Sequence, residues 1–449
     1  MHIRDPIHGA IEVSRDERDL IDSPYYQRLR LVKQLGFADL AFPGAVHTRY
    51  AHGLGAMAVA TRLFDALRPK LALPPDDAER LRQTLRLAVL FHDLGHPPLS
   101  HATERIMPPR AALKLPAWLG AETGRQANHE DYTLALVLKS GLTELMERCM
   151  GSHGIASTHV ASLIAGVRPP GPDAFTSAGV DHFPLLRQVV SSEMDADRMD
   201  YLLRDSFFTG VNYGKFDLDW IVQNIAVVEV GDVSSTADRQ SRSAPPPGLT
   251  PDVARRSPVV RRHLALERRA VFAFEDFLLS RFHMFVSVYL HATSVGYEEM
   301  LGRHFEGPDA VYALPADVEA YVAHDDVTLV TALRASSCPW ARRIVRREGY
   351  RAAYEAEPYD VVDHTAAAHE AITRAGIDSF VVESRGAITK YLAGGDFPLY
   401  VKERGRDVPI AEASPIFRRY GESARLSRVY VPPERYVEAK RVVEAALSE

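Results

Sequence analysis

The stretch Leu87–His101, LAVLFHDLGHPPLSH, constrains this chain more than any other. It reads as a buried apolar helix, Leu87 to Phe91, that delivers His92 and Asp93 to a cavity. Gly95 permits a helix stop, Pro97 and Pro98 turn the chain, and His96 and His101 return toward the same point. Groups able to bind metal or move protons then stand in front of a hydrophobic wall, which is how a metal site is built. The dipeptide carries little by itself. With 18 His in 449 residues, about one His-Asp pair is expected by chance, and a second occurs at His324–Asp325. That second pair lies in a polar stretch without a partner His and reads as solvated surface.

Taken in order, residues 1–14 alternate loosely around Pro6 and Gly9 and predict a short strand or hairpin. Ser23-Pro24 opens a helix, YYQRLRLVKQL, that stops at Gly36. A helix from Arg49 to about Leu67 follows, with Gly53, Gly55 and Ala56 leaving room for a close neighbour. Asp76 and Asp77 open the helix ending at His92–Asp93, and Asn128 caps the next, which holds His129 and Glu130 in its first turn. Pro184 starts one long helix whose second half carries Asp195, Asp197, Arg198, Asp200, Tyr201 and Asp205. Ile225–Val230 is a strand, residues 231–258 a Ser/Arg/Pro-rich mobile excursion at a hairpin tip, and Arg268–His291 a long aromatic helix. Beyond about residue 310, short helices alternate with strand-like DSFVVES, FPLYVKE and SRVYVPP. The fold class expected is therefore mainly α, a helical core over 1–310 with a smaller C-terminal α+β region over 311–449.

Composition excludes more than it assigns. Hydrophobic content of 46% and charged content of 25% are those of a soluble globular protein, and no apolar run is long enough to span a bilayer. The first residues lack the charged start and apolar segment of a signal peptide. Two cysteines, Cys149 and Cys338, are too few for a disulfide framework and point to a reducing cytoplasm. A net charge of −6 argues against non-specific nucleic-acid binding but leaves room for a local basic pocket.

The chemistry-bearing residues fall in separate segments. His52, His92, Asp93 and Asp197 sit on three predicted helices, and two imidazoles with two carboxylates suit a divalent first-row ion or magnesium. Such an ion polarises a phosphoryl oxygen and acidifies water. His96, His101 and His129 are available for proton transfer, with Glu104 or Glu130 orienting an imidazole, and Arg198, Tyr201 and Arg281 for a phosphate tail. Each has a plainer reading: His52 as a core histidine, Asp195 and Asp197 as a solvated face paired with Arg198 and Arg204, the aromatics from Phe272 to Phe285 as core, and Cys149 as a small hydrophobe.

At these residues the sequence resembles the HD-domain phosphohydrolases, particularly the dNTP triphosphohydrolase branch. The shared text runs through DPIHG (Asp5–Gly9), IDSPYYQRLRLVKQLG (Ile21–Gly36), FPGAVHTRYAHGLG (Phe42–Gly55), HDLGHPPLSH (His92–His101), NHE (Asn128–Glu130), DADRMDYLLRD (Asp195–Asp205) and RFHMFVSVYLH (Arg281–His291). It covers most of residues 1–300, and the last 150 match only loosely. The resemblance implies His52, His92, Asp93 and Asp197 as ligands of one divalent ion (Fe, Mn, Mg, Ni or Zn). It implies His101 and His129 as the acid/base pair, with Glu104 where the family often has Asp, and His96 against the phosphates. Gln34, Leu35 and Arg49 would hold the nucleoside end. Arg198, Tyr201 and Arg281 would take the phosphates, Asp205 the sugar 3′-hydroxyl, and Tyr289 would pack near the sugar. Arg198 stands where the family commonly has Lys, and the two cations meet phosphate differently. Asp22, Gln27 and Arg30 match a guanine-reading activator site for GTP or dNTP, with a polar helix face at an oligomer contact as the other reading. A homo-oligomer, tetramer or dimer, is implied as well.

These readings point to a metal-dependent nucleotide phosphohydrolase converting dNTP and water to deoxynucleoside and triphosphate. The alternatives are the same fold acting on another nucleotide or single-stranded nucleic acid, and a nucleotide-sensing protein without turnover.

Overall fold

Two long helices carry the body of the molecule. The Arg49–Leu71 helix reverses through Ala72, at φ 47°, into the Pro75–Phe91 helix that packs alongside it. Leu63, Phe64 and Leu67 of the first and Leu81, Leu85 and Leu87 of the second join one hydrophobic cluster. Neither helix is amphipathic throughout, because both are surrounded. The first also packs on the Ala196–Thr209 helix, the second on Ser157–Ala165, and those contacts bury nearly every side chain near His52 and His92. The computed structural model describes residues 1–120, 124–230, 260–310, 312–356, 362–386, 398–419 and 424–448. The expected mobile excursion at 231–258 lies outside these residues.

The N-terminal hairpin forms from His2–Asp5 and Gly9–Glu12, and Asn128 caps His129–Lys139 through a capping box with Asp131. Three expected helices differ from their sequence reading. The segment opened by Ser23-Pro24 is helical only over Pro24–Gln27, then a 3-10 turn over Arg28–Leu31. It becomes extended because Val32 and Gln34 exchange backbone hydrogen bonds with Arg49 and His47. The single helix expected after Pro184 is two, Phe183–Val190 and Ala196–Thr209, with Asp195 capping the second by accepting from the Arg198 N–H. The aromatic helix is regular over Val271–Met284 and then widens into a π turn, Phe285–Tyr289.

The strand Val260–Glu267 runs antiparallel to Ile225–Val230 and parallel to Tyr400–Glu403, so the C-terminal region returns to the helical body. A separate three-stranded sheet places Ala424–Val431 between Arg351–Ala356 and Phe380–Gly386, with helices Thr365–Arg374 and Tyr436–Leu447 packed on it. The mainly α body with a smaller C-terminal α+β region is thus the observed architecture.

Candidate metal centre and active site

The helix ends bring four side chains to one point. The Nε2 atom of His52 lies 3.0 Å from Asp197 Oδ1, 3.3 Å from His92 Nε2 and 3.6 Å from Asp93 Oδ2. His92 Nε2 lies 3.4 Å from the same Asp197 oxygen and 3.3 Å from Asp93 Oδ1. Ligands about 2.1 Å from an ion and at right angles stand about 3 Å apart, so these separations are those of neighbouring ligands. The remaining imidazole nitrogens are already engaged. His52 Nδ1 is 2.8 Å from Asp200 Oδ2, and His92 Nδ1 is 2.6 Å from the Val89 carbonyl oxygen. Both acceptors demand N–H at Nδ1, which turns each Nε2 lone pair toward Asp197. Nitrogen and carboxylate donors in this arrangement fit a divalent ion of intermediate hardness. Burial opposes charge on both rings, yet Asp197 and Asp200 hold the His52 pKa up to about 10, and Asp93 and Asp197 hold that of His92 up to about 9. The carboxylates beside the two rings thus favour positive charge at this point.

Asp200 is the hub behind it. It accepts from His52, from His8 Nε2 at 2.6 Å and from Arg204 Nε at 2.8 Å, while Arg204 Nη1 also reaches Asp5 Oδ2 at 2.9 Å. Asp5 and His8 of the DPIHG segment therefore brace His52 through Asp200. Gly55 makes room for this network, since a Cβ there would lie 2.0 Å from Asp200 Oδ1. Gly95 has a different reason from the expected helix stop: its Cβ would lie 2.1 Å from the His129 carbonyl oxygen, so it permits the close approach of the His129–Lys139 helix.

That approach builds a second cluster. The His96 and His129 rings stack with centroids 3.9 Å apart, and His101 meets both edge-on. Glu104 binds His129 Nδ1 and lies 3.4 Å from His101 Nδ1. Burial works against the Glu104 charge, but the two imidazoles hold its carboxyl well below the usual carboxylate range. His96 is buried, and burial together with the nearby Arg49 pushes its pKa well down, which keeps the ring neutral. Asp93 Oδ1 joins the clusters, 3.3 Å from His96 Nε2 and from His92 Nε2, and Arg49 Nη1 donates to the other Asp93 oxygen.

Comparison with known proteins identifies two regions of the chain. An HD domain matches residues 49–205 and an HD associated region residues 254–386. The chain is thus an HD-domain protein with an HD associated region, and it is similar to HD-domain phosphohydrolases. HD domains bind divalent metals, and this HD domain holds its His/Asp group in the geometry above. Its curated relatives include the uncharacterized protein YwfO of Bacillus subtilis, 29% identical over 307 residues, covering 67% of this chain and 54% of that protein. The deoxynucleoside triphosphate triphosphohydrolase SAMHD1 of Homo sapiens is 31% identical over 241 residues, 51% of this chain and 36% of that protein. The chain spans about half the length of the first curated relatives it matches. Its fold is shared with a hypothetical protein from Aquifex aeolicus, at a TM-score of 0.70 and 24% identity over 99% of each chain. A phosphohydrolase from Bacteroides thetaiotaomicron has a TM-score of 0.64 and 22% identity over 96% of this chain and 99% of its own.

Around the HD-domain pair the other expected residues are placed as follows. Gln34 is buried with its Oε1 atom unpartnered, and Leu35 starts the Gly36–Leu40 turn behind it. Asp205 accepts from Tyr289 Oη at 2.8 Å and lies 2.7 Å from His47 Nε2, with the Tyr201 ring 6.0 Å from that of Tyr289. Arg198 donates to Asp195 at 2.9 Å and Arg281 to Glu193 at 3.4 Å. In the expected activator trio, Arg30 donates to Gln27 at 2.7 Å and its guanidinium lies 3.6 Å from the Tyr50 ring centroid, while Gln27 donates to the Ile21 carbonyl and Asp22 is exposed. The sequence reading gave His47, Asp200 and Arg28 no role in the site. Asp200 had a usable signal, three residues after Asp197 on one helix face. His324–Asp325 contributes no metal group: His324 Nδ1 is 2.9 Å from Tyr312 Oη and Asp325 caps the Asp326–Ala335 helix. Among the described residues no helix is long and apolar enough to cross a membrane.

Proposed function

We propose that the chain is a metal-dependent nucleotide phosphohydrolase, with dNTP cleaved to deoxynucleoside and triphosphate. The observation carrying this reading is the pairing of a His/Asp group able to hold a cation with an adjoining imidazole–carboxylate cluster, bridged by Asp93. His52, His92, Asp93 and Asp197 would hold a divalent ion, which supplies Lewis acidity for a phosphoryl oxygen. Water would attack the α-phosphorus as the bond to the 5′-oxygen breaks; His129, oriented by Glu104, would take a proton from that water, and His101 would give one to the leaving 5′-oxygen. Neutral His96 donates a hydrogen bond to a non-bridging oxygen without adding charge. Arg49, Gln34 and Leu35 line the nucleoside end, Asp205 accepts from the 3′-hydroxyl, and Tyr289, bonded to Asp205, stands where a 2′-hydroxyl would crowd it. Arg198, Tyr201 and Arg281 take the phosphate tail. The two free cysteines fit a reducing compartment, as expected of a cytoplasmic enzyme. Asp22, Gln27 and Arg30 as a GTP or dNTP activator site, and assembly as a tetramer or dimer, belong to the same proposal.

A second reading draws on one observation: Arg198 and Arg281 are each already paired with a carboxylate. That favours a substrate with fewer phosphates. Product analysis after incubating metal-loaded protein with each dNTP, with and without GTP, separates the two. Triphosphate supports the first reading; orthophosphate or pyrophosphate supports the second. Intact dNTPs under all conditions, with His92→Ala indistinguishable from wild type, refute the first.

A further inference from the structure

The loop that carries His96 and His101 is not held by the HD domain alone. Leu99 and Ser100 both adopt left-handed backbone, at φ 54° and 57°, which non-glycine residues adopt only when their surroundings impose it. The imposing groups come from the HD-associated region. Asp326, the first residue of the Asp326–Ala335 helix, accepts from the Leu99 N–H at 2.7 Å through Oδ1 and from the Lys33 N–H at 3.0 Å through Oδ2. Leu99 precedes Ser100 and His101, and Lys33 precedes Gln34 and Leu35. One carboxylate thus ties the loop of the acid/base groups to the loop of the nucleoside end. Ser100 Oγ repeats the tie by donating to the Lys33 carbonyl at 2.8 Å while accepting from Arg49 Nε at 2.8 Å.

The same segment grips the loop again upstream. Tyr321, fully buried, donates to the Gly95 carbonyl at 2.7 Å. Arg28 donates to the carbonyls of Leu94 at 3.2 Å, His96 at 2.7 Å and His324 at 2.7 Å, with its guanidinium 4.7 Å from the Tyr321 ring centroid. Backbone groups of Leu94, Gly95, His96 and Leu99 are therefore all fastened to Arg28 or to residues 321–326. A helix start needs only a cap, and Asp325 already supplies it, so Asp326 is spare for this second task.

We infer that Asp326 is a positioning residue, through which the HD-associated region sets the catalytic loop against the nucleoside-side loop. It touches no substrate; it acts through the backbone of Leu99 and Lys33. Asn at this position keeps one acceptor oxygen and turns an NH2 group toward the other N–H, so one tie is lost and replaced by a donor facing a donor.

The inference rests on the proposed roles of His96 and His101, and its test separates the two. Hydrogen–deuterium exchange is followed in metal-loaded wild type and Asp326→Asn over residues 32–36 and 94–104. The segment that loses its tie is expected to exchange about tenfold faster in the variant, with the Arg49–Leu71 helix unchanged. With dNTP, kcat is expected to fall about 10- to 100-fold while KM and metal content stay within about twofold. Tyr321→Phe, which removes one hydroxyl, shifts residues 94–104 alone and serves if the first variant does not fold. Unchanged exchange at both segments in Asp326→Asn, or faster exchange with kcat unaltered, overturns the inference. If wild type turns over no nucleotide, the proposed function fails, and the exchange result alone decides whether Asp326 holds the two loops.

Discussion

Two acids at this centre do different work. Asp197 would be a ligand, whereas Asp200 fixes which nitrogen of His52 carries hydrogen, which would contribute to metal affinity without touching metal. Asp200→Asn is expected to weaken divalent-ion binding about 10- to 100-fold, read by competitive titration against a chelating dye. The ligands themselves were legible in the sequence because imidazole and carboxylate types recur at helix starts and stops. Their supports were less so: the Val89 carbonyl that fixes His92 is a backbone group and leaves no trace in the sequence. A third acid tests electrostatics away from the centre. Burial pushes the Glu298 carboxyl up to about 7 from 4.5, only partly offset by Arg105. Between those values the folded chain keeps a proton that the unfolded chain has lost, so this group's contribution to stability is present at low pH and lost as pH rises through 7. Glu298→Gln should therefore stabilise the protein by about 1–3 kcal/mol at pH 8 and by almost nothing at pH 4.5, measured by urea unfolding at both values.

Helix boundaries, more than helices, decide what this fold can do. The break at residues 191–195 was hidden in the sequence, since the apolar spacing on either side continues and Asp195 reads equally well inside a helix or as a cap. The break lets Asp195 begin a new helix and puts Asp197 in its first turn, facing His52. The segment after Ser23-Pro24 misleads for the opposite reason: its pattern is helical, but long-range backbone pairing with His47 and Arg49 takes over from Val32 onward. Such pairing has no local signature. The turn at Gly95 is the clearest case of contact overriding local preference. Gly95→Ala would push a methyl group against the His129–Lys139 helix, and a loss of about 1–3 kcal/mol is expected in denaturant unfolding, with weakened coupling between the two histidine clusters. A variant as stable as wild type would show that the two helix ends separate freely.

At the scale of the molecule, the mainly α body and the small α+β region were readable from periodicity. Their connection was not, because Tyr400–Glu403 pairs with Val260–Glu267 and Asp326 reaches Leu99 across spans that local patterns do not encode. The HD-associated region is consequently tied to the loop that carries His96 and His101. All of the chemistry proposed here requires that side chains drawn from residues 52, 92–93 and 197 share a single divalent ion. Metal content per chain, measured by plasma mass spectrometry on wild type and on His92→Ala after dialysis in one bath, tests this directly. The account predicts about one equivalent in wild type and a fall of roughly tenfold or more in a folded His92→Ala. Equal metal in the two proteins, or none in wild type after incubation with each candidate ion, would contradict it.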